Sequence, residues 1–487
     1  MHEAWPTDWA WALPADTDAP LDSLSLAGTR PPDLRAWLTA LPAGDPLTSA
    51  ASLTRLLEEL TRLPLDTRCR LALLEDIRPR VHRLAAVLQS HYLDTPLSLS
   101  TPAREAADRV ADLFDALARA YQRVAAALLA TPPGPARRQA AATAVQRALD
   151  ALSQQLGQHW LLYTPARAGL WWRLHRLYAG AALHALHTLP VADPEAPGHE
   201  SSVHLAYTRA LLMASAQPQQ LRPPALIALF RAAGQWGRRL PLHAAPLEGG
   251  FDVALDQDRG PAPAGDPARS GPRWRHFDTR PLAEALCDGG GDPGRPFSSL
   301  LRAHLRTVWS APRGRAAPRR AGRETVRVVL GLNGAHACLD QPARVHNAEP
   351  VRCQDRGEQG CGLIWHGPAP RGLRVGAVLA LAGADGGPWR VGEIRWLARA
   401  AEGVRAGVQW LPGEVRPVRI SHGYGDTLPT PALLVPAADG ADTLLVPTAG
   451  FAAGARVTVW DGPPRLVRLG ARVAGSADAC RYRLRLA

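Results

Sequence analysis

Eight arginines (Arg302, Arg306, Arg313, Arg315, Arg319, Arg320, Arg323 and Arg327) and a single acid, Glu324, fall between residues 302 and 327. Eight cations against one anion leave that window with +7 of the chain's formal +12. Its core, RGRAAPRRAGRETVRVV, is broken by proline and glycine, which predicts an extended arm leading into a strand. Guanidinium forks match phosphate oxygens and the O6/N7 edge of guanine, so the chemistry on offer is recognition of an anionic, nucleotide-like ligand. A DNA or RNA partner would call for interleaved aromatics or a groove-reading helix, and the arm has only Trp309, so no nucleic acid is expected. The alternative is a solvated linker in an arginine-biased proteome. That bias is real: all 56 basic residues are arginine, and no lysine occurs anywhere in 487 residues. Its absence excludes a Walker A loop, a Schiff-base enzyme and a Ser/Lys nucleophile pair.

Other constellations carry less. Gly289-x-Gly291-x-x-Gly294 matches the dinucleotide fingerprint, but it follows a helix and contains Pro293, so a flexible loop is the better reading. His184 and His187 stand one turn apart in a segment rich in Trp, Tyr and Leu, with no HExxH frame, and read as packed or surface histidines. Asp256-x-Asp258 lacks the closing Glu of an EF-hand loop. His346, Cys353, Cys361 and His366 are irregularly spaced for zinc, and strand alternation would part them. No GxSxG elbow and no recognisable carboxylate pair stand out, so neither catalysis nor a metal site is expected.

The elements that must position the arm change character along the chain. Residues 1–47 read as an irregular lead-in. From 48 to 245 the apolar residues take helical spacing: Leu53, Leu56, Leu57 and Leu60, then Leu74, Ile77, Val81, Leu84 and Leu88 around a kink at Pro79. A third helix opens at Thr101-Pro102, with Thr101 as the expected N-cap, and a fourth follows the break at 132–135. Further helices are expected across 166–190, 201–215 and 223–240. Residues 246–317 read as one strand, a disordered Pro/Gly/Asp linker and two short helices (279–287, 297–309). After Pro318 short β-branched runs alternate with Gly and Pro without helical interludes, which predicts a small antiparallel barrel over 318–415 and an additional β segment over 416–487. The fold class is α+β multidomain, helical first and β second. The six dispersed cysteines read as reduced thiols. The amino-terminal residues do not look like a secretory signal, and no apolar run approaches a membrane span, so the expected compartment is the cytoplasm.

Arg319-Arg320-Ala321-Gly322-Arg323 supplies an RxxxR arm, and some thirty residues on comes Asp355-Arg356-Gly357-Glu358-Gln359-Gly360. Downstream, VGEIRWLARAAEGVRAGVQWL (391–411) reads as a strand pair. In this order the elements resemble PilZ domains, bacterial receptors for cyclic di-GMP, whose second motif is (Asp/Asn)-x-Ser-x-x-Gly. The resemblance covers roughly a fifth of the chain. It implies a C-terminal PilZ-like β-barrel that takes cyclic di-GMP through Arg319, Arg320, Arg323, Asp355, Gly357 and Gly360. Other RxxxR registers, Arg315/Arg319 and Arg323/Arg327, also satisfy the arm. In such a site arginines fork onto phosphates and guanines, Asp355 accepts from guanine N1–H and N2–H₂, and Gly360 lets the backbone come close. Gly357 departs from the pattern: it stands where the family has Ser and removes a hydroxyl contact.

Taken together, the sequence predicts a non-enzymatic cyclic di-GMP receptor or adaptor, without further cofactor, acting on motility, adhesion or exopolysaccharide. In this reading the arm orders around the nucleotide and repositions the barrel, and an unidentified protein partner meets the helical domain. The alternative is a degenerate PilZ scaffold that binds no nucleotide.

Overall fold

The computed structural model describes residues 19–94, 97–130, 134–193, 200–265, 268–287, 297–312, 319–422, 428–436, 442–475 and 478–486. The glycines at 289, 291 and 294 lie outside them, as do Arg313, Arg315 and the first eighteen residues of the expected lead-in. The described residues fall into two compact units. The first is drawn from the chain up to 314, apart from 219–222 and 297–304. The second takes those two pieces and everything from 319 onward.

The first unit is built on α1 (Pro31–Ala40), α2 (Pro46–Arg62), α3 (Thr67–Gln89), α4 (Thr101–Leu129), α5 (Pro135–Leu161), α6 (Leu170–Leu183), α7 (Val203–Ser215) and α8 (Pro223–Trp236). The lead-in therefore needs correcting: α1 and the first turn of α2 lie inside 1–47, because Pro31-Pro32 and Pro46 preset the first helical turn and Asp45 caps α2 by accepting from Thr48 N–H. The cap of α4 is Ser100, which accepts from Ala103 N–H, so Thr101 is the first helical residue and not the cap. Helix α3 runs through Pro79 as one element. The apolar stripe read from the sequence is the core: Leu53, Leu56, Leu57, Leu60, Leu74, Ile77 and Val81 are fully buried. Long alanine-rich helices α4 and α5 pack on each other, with Ala118, Ala120, Ala125, Ala141, Ala144 and Ala148 at zero exposure. Small side chains let the two backbones approach closely.

Charges are buried only in company. Glu75 on α3 accepts from Tyr121 Oη at 2.6 Å and from the Arg147 guanidinium at 3.2 Å, and Arg147 also donates to the Ala192 carbonyl at 2.8 Å. Asp150 on α5 pairs with Arg209 and lies 3.6 Å from His82. Burial pushes the Asp150 carboxyl up, but Arg209 overrides it and holds it at about 2.

The strand expected after 245 is present, but the stretch behind it, read as a disordered linker, takes part in a folded sheet. β1 (Val191–Ala192) and β2 (Glu200–Ser201) form a short ladder, and β3 (Phe251–Ala254), β4 (Ala262–Pro263) and β5 (Trp274–Phe277) make a three-stranded sheet in the order β4-β3-β5. Phe251 stacks on Phe277, and Asp252 accepts from His276 Nδ1 at 2.9 Å and from Arg269 at 3.1 Å. Asp258, singled out as an incomplete calcium loop, caps α6 by accepting from Gly169 and Trp172 N–H. One residue on, the Arg259 carbonyl accepts from His175 Nε2 at 2.9 Å, which leaves Nδ1 to accept from Tyr207 Oη at 2.7 Å. Helix α6 ends at Leu183, so His184 is its C-cap and His187 lies beyond it, edge-on to Tyr178. The two do not share a helix face. Two short helices follow, α9 (Arg280–Ala285) and α10 (Ser299–Ser310).

The second unit has β6 (Arg320–Ala321), β7 (Thr325–Leu330), α11 (Leu332–Asp340), β8 (Glu349–Gly357), β9 (Gly360–His366), β10 (Val378–Gly383), β11 (Gly386–Ala400) and β12 (Gly403–Trp410). All pairings are antiparallel in the order β6-β8-β7-β10-β11-β12-β9, and β8 also pairs β9, which closes a ring of six strands with β6 added on β8. Helix α11 corrects the expectation of strands alone. β13 (Arg416–His422), β14 (Thr430–Val435), β15 (Thr443–Pro447), β16 (Arg456–Trp460), β17 (Arg465–Gly475) and β18 (Ala479–Leu486) form a second, closed barrel ordered β13-β14-β15-β18-β17-β16. Its interior holds Ile420, Leu434, Leu444, Val446, Val457, Val459, Leu469 and Tyr482. Outward residues Leu433, Val435 and Leu445 pack instead with α11 residues Leu332, Ala335 and Cys338 and with Val329, Val378 and Ala380 of the ring.

Burial pushes the pKa of His175 and of His159 down from 6.5 to about 4. Native histidines that refuse a proton stabilise the fold fully above the unfolded value of 6.5, and that stability is lost as the pH falls toward 4. His175, with zero exposure, accounts for up to about 3 kcal/mol of this change. Thermal unfolding midpoints are expected to decline steadily from pH 6.5 to pH 4, with a shallower decline in His175→Gln. An identical slope in the variant would contradict the assignment.

Candidate functional site

Strand β8 is hydrogen-bonded along both edges. One edge carries β9 in the register Arg352↔Ile364, Cys353↔Leu363, Asp355↔Gly362 and Gly357↔Gly360, with a bulge between Cys353 and Asp355. The other carries β7 (Thr325↔Arg352) and then β6 (Ala321↔Asp355, Arg320↔Arg356). The arginine arm is thus a strand from Arg320, interrupted only around Gly322, where Gly322 N–H donates to the Gln354 carbonyl and Cys353 N–H to the Glu324 carbonyl. A Cβ at 322 would crowd the Cys353 carbonyl at 3.2 Å.

This pairing brings Arg319 to Asp355, thirty-six residues away, with Nη1 donating to Oδ1 at 2.6 Å and both side chains about a quarter exposed. Beside it Arg356 pairs with Glu324 at 2.6 Å on the open surface. Arg320 and Arg323 are exposed on the same stretch. Arg327 is engaged elsewhere, donating to the Val345 carbonyl at 3.3 Å and lying over the Trp389 ring.

Asp355 is a strand residue and not part of a loop. The turn itself is two residues, Glu358-Gln359, between the paired Gly357 and Gly360. Gly357 is not in the left-handed region, so a side chain is sterically admissible there on backbone grounds. Gly360 carries a constraint of its own: a Cβ would overlap the Val408 carbonyl of β12. Gly362, which faces Asp355 across the ladder, carries no sequence signal of its own. A Cβ there would sit 3.0 Å from the Asp355 carboxylate, so this glycine is what leaves the carboxylate its place. Arg390 and Trp410 were also missed. The Arg390 guanidinium lies 4.6 Å over the Trp410 ring and 3.5 Å from the Glu358 carbonyl, and Trp410 N–H donates to the Gln359 carbonyl, so the pair braces the hairpin.

Under the arm, Cys353 and Cys361 are fully buried free thiols. The Cys361 thiol, helped by Arg356 and against burial, holds the Cys353 thiol down at about 6, and Cys361 is pushed up in turn. His346 and His366 are exposed, and among the described residues no group of three or more His, Cys, Asp or Glu is placed to hold a metal ion. No helix among the described residues is long and apolar enough to cross a membrane.

The chain is thus helical first and β-barrel second, and its second unit holds an arginine strand paired to a carboxylate beside a glycine hairpin. Residues 32–246 match the family model described as the N-terminal domain of the cyclic-di-GMP receptor FimW. The chain is also similar to the protein named Cyclic-di-GMP receptor FimW of Pseudomonas aeruginosa, 29% identical over 347 residues. The match takes in 65% of this chain and 54% of that protein, so the chain spans about half the length of this curated relative.

The two ladder glycines are expected to respond differently to alanine. Gly360→Ala meets backbone and should destabilise the ring by about 1–3 kcal/mol. Gly362→Ala meets only the end of a side chain and should cost under about 1 kcal/mol while displacing Asp355 from Arg319. Urea midpoints check the ranking, and a Gly362→Ala loss as large as that of Gly360→Ala would contradict it.

Proposed function

We propose that this chain is a cyclic di-GMP receptor whose ligand is taken by the β6–β8–β9 corner of the second unit. The observation that carries the reading is the Arg319–Asp355 pair, which unites the two halves of the motif. The similarity to a protein named as a cyclic-di-GMP receptor supports the ligand. In this reading Arg319, Arg320 and Arg323 fork onto phosphates and Hoogsteen edges, and Asp355 accepts from a guanine once Arg319 turns to the ligand. Arg319/Arg323 is favoured over Arg323/Arg327, since Arg327 is occupied by Val345 and Trp389. The chemistry is binding and not catalysis. Its output is control of motility, adhesion or exopolysaccharide in the cytoplasm, with a protein partner on the helical unit. The barrel is PilZ-like, and 318–415 and 416–487 are its two β domains.

A degenerate scaffold that binds no nucleotide is the second reading, favoured by Gly357, which offers no hydroxyl. One missing hydrogen bond to a polar ligand group weakens binding by roughly tenfold to a hundredfold.

Calorimetric titration of cyclic di-GMP into the full chain tests both readings. Micromolar or tighter binding that disappears in Arg319→Ala/Arg323→Ala is the expected result. Binding unchanged in the double variant would move the ligand elsewhere, and no binding at all would leave the scaffold. Gly357→Ser, which restores the hydroxyl at a permissive backbone position, is expected to tighten binding by about tenfold.

A further inference from the structure

The second barrel has one wall unlike the rest of the chain. β16, β17 and β18 are neighbours in the order β18-β17-β16 and together carry seven arginines and no Asp or Glu. Inward positions Val457, Val459, Val467, Leu469, Cys480 and Tyr482 fill the barrel. The register sets three arginines in one lateral row: Arg456 opposite Arg468, and Arg468 opposite Arg485. All three are exposed. Like charges directly opposite on neighbouring strands are destabilising, so the fold alone gives no reason for the row. The nearby acids are engaged off it: Asp461 pairs with Arg465, and Asp478 with Arg374. The opposite wall, β13-β14-β15, packs on α11 and the ring, whereas Arg456, Arg468, Arg483 and Arg485 on this one are exposed.

We propose that the β16–β17–β18 wall is a binding surface for the phosphate backbone of single-stranded nucleic acid, read without regard to sequence. Neighbouring strands lie about 4.8 Å apart and alternate residues about 6.7 Å apart along a strand, so the guanidinium groups form a lattice roughly 10 Å by 13 Å. Such a lattice fits several phosphates of one strand, each taking an arginine fork. A flexible strand follows a convex wall, whereas a stiff duplex touches it over a short arc. Among the described residues of these three strands the exposed large hydrophobics are Val473 and Trp460, too few for the apolar centre of a protein interface. The arm gave no such surface, and the sequence reading set nucleic acid aside. The row exists only once the strands are in register.

The test is fluorescence anisotropy of a labelled oligodeoxythymidine of about 30 nucleotides with the full chain, at about 50 and about 200 mM salt. Contact with about four phosphates predicts roughly 50-fold weaker binding at the higher salt. Arg468→Ser/Arg485→Ser should lower affinity at the lower salt at least about tenfold, with a thermal midpoint at or above that of the parent, and Arg456→Ser should act the same way more weakly. Cyclic di-GMP titrations should be unaffected by these changes. The proposal is overturned if no oligonucleotide binds at the lower salt, if the variants bind as well as the parent, or if Arg320→Ser/Arg323→Ser abolishes binding instead. Anionic lipid vesicles binding as tightly, with the same dependence on Arg468 and Arg485, would overturn it in favour of a membrane surface.

Discussion

Everything at the proposed ligand corner depends on β8 being hydrogen-bonded along both edges. A strand with one free edge could shift by two residues and keep its inward side chains buried, taking Asp355 away from Arg319. With β9 fixed on one side by the Gly357–Gly360 hairpin and the arm fixed on the other by the backbone bonds of Gly322 and Glu324, that slip would break both ladders together. The half-buried ion pair is therefore placed by backbone pairing and adds little to hold it, since exposed and partly exposed pairs contribute about 1 kcal/mol or less. This distribution suits a receptor. The scaffold keeps its register when the ion pair opens, and the arginine can exchange one anion for another without unfolding the strand that carries it.

The helical unit follows the opposite rule. Arg147 is almost fully enclosed and meets Glu75, Gln146 and the Ala192 carbonyl, and Arg78 meets Asp193. Removing one partner from such a group strands a buried charge, which costs about 3–5 kcal/mol, whereas a surface pair can be lost almost without consequence. These arginines fix how the helices dock and are unavailable for ligands. Counting arginines per segment would not separate the two kinds. Enclosure and the nearest carboxylate do.

What the sequence made legible was the part governed by local rules. Helical spacing located the core of α2 and α3, and β-branched runs with Gly and Pro between them located the strands of both barrels. The motif order assigns Arg319 and Asp355 to one expected site. Misreadings came where tertiary context overrules composition. Residues 31–47 look irregular by composition, yet proline at the start of a helix and aspartate at its cap are helix-starting signals. The Gly- and Pro-rich stretch after 254 hides strands of two and four residues, too short to show alternation. Gly362 was invisible because nothing in a Gly-Cys-Gly run says which glycine faces a carboxylate on another strand. Helix α11 was missed because Gly331 and Asn333-Gly334 suggest turns more than a helix.

The arginine row on the second barrel shows the same limit from the other side. Along the chain, arginines cluster visibly only between residues 302 and 327. Arg456, Arg468 and Arg485 are twelve and seventeen residues apart, a spacing that no window would flag. Antiparallel pairing turns them into neighbours about 5 Å apart. The helical unit disperses or neutralises its charge through ion pairs, and the arm gives part of its charge to Asp355 and Glu324. On the barrel wall, strand alternation instead sends Val457, Val459, Val467, Leu469 and Tyr482 inward and leaves Arg456, Arg468 and Arg485 side by side outside. A fold that tolerates that arrangement in water is stabilised further by whatever anion lies across it, and stability that grows on binding is the thermodynamic mark of a binding surface.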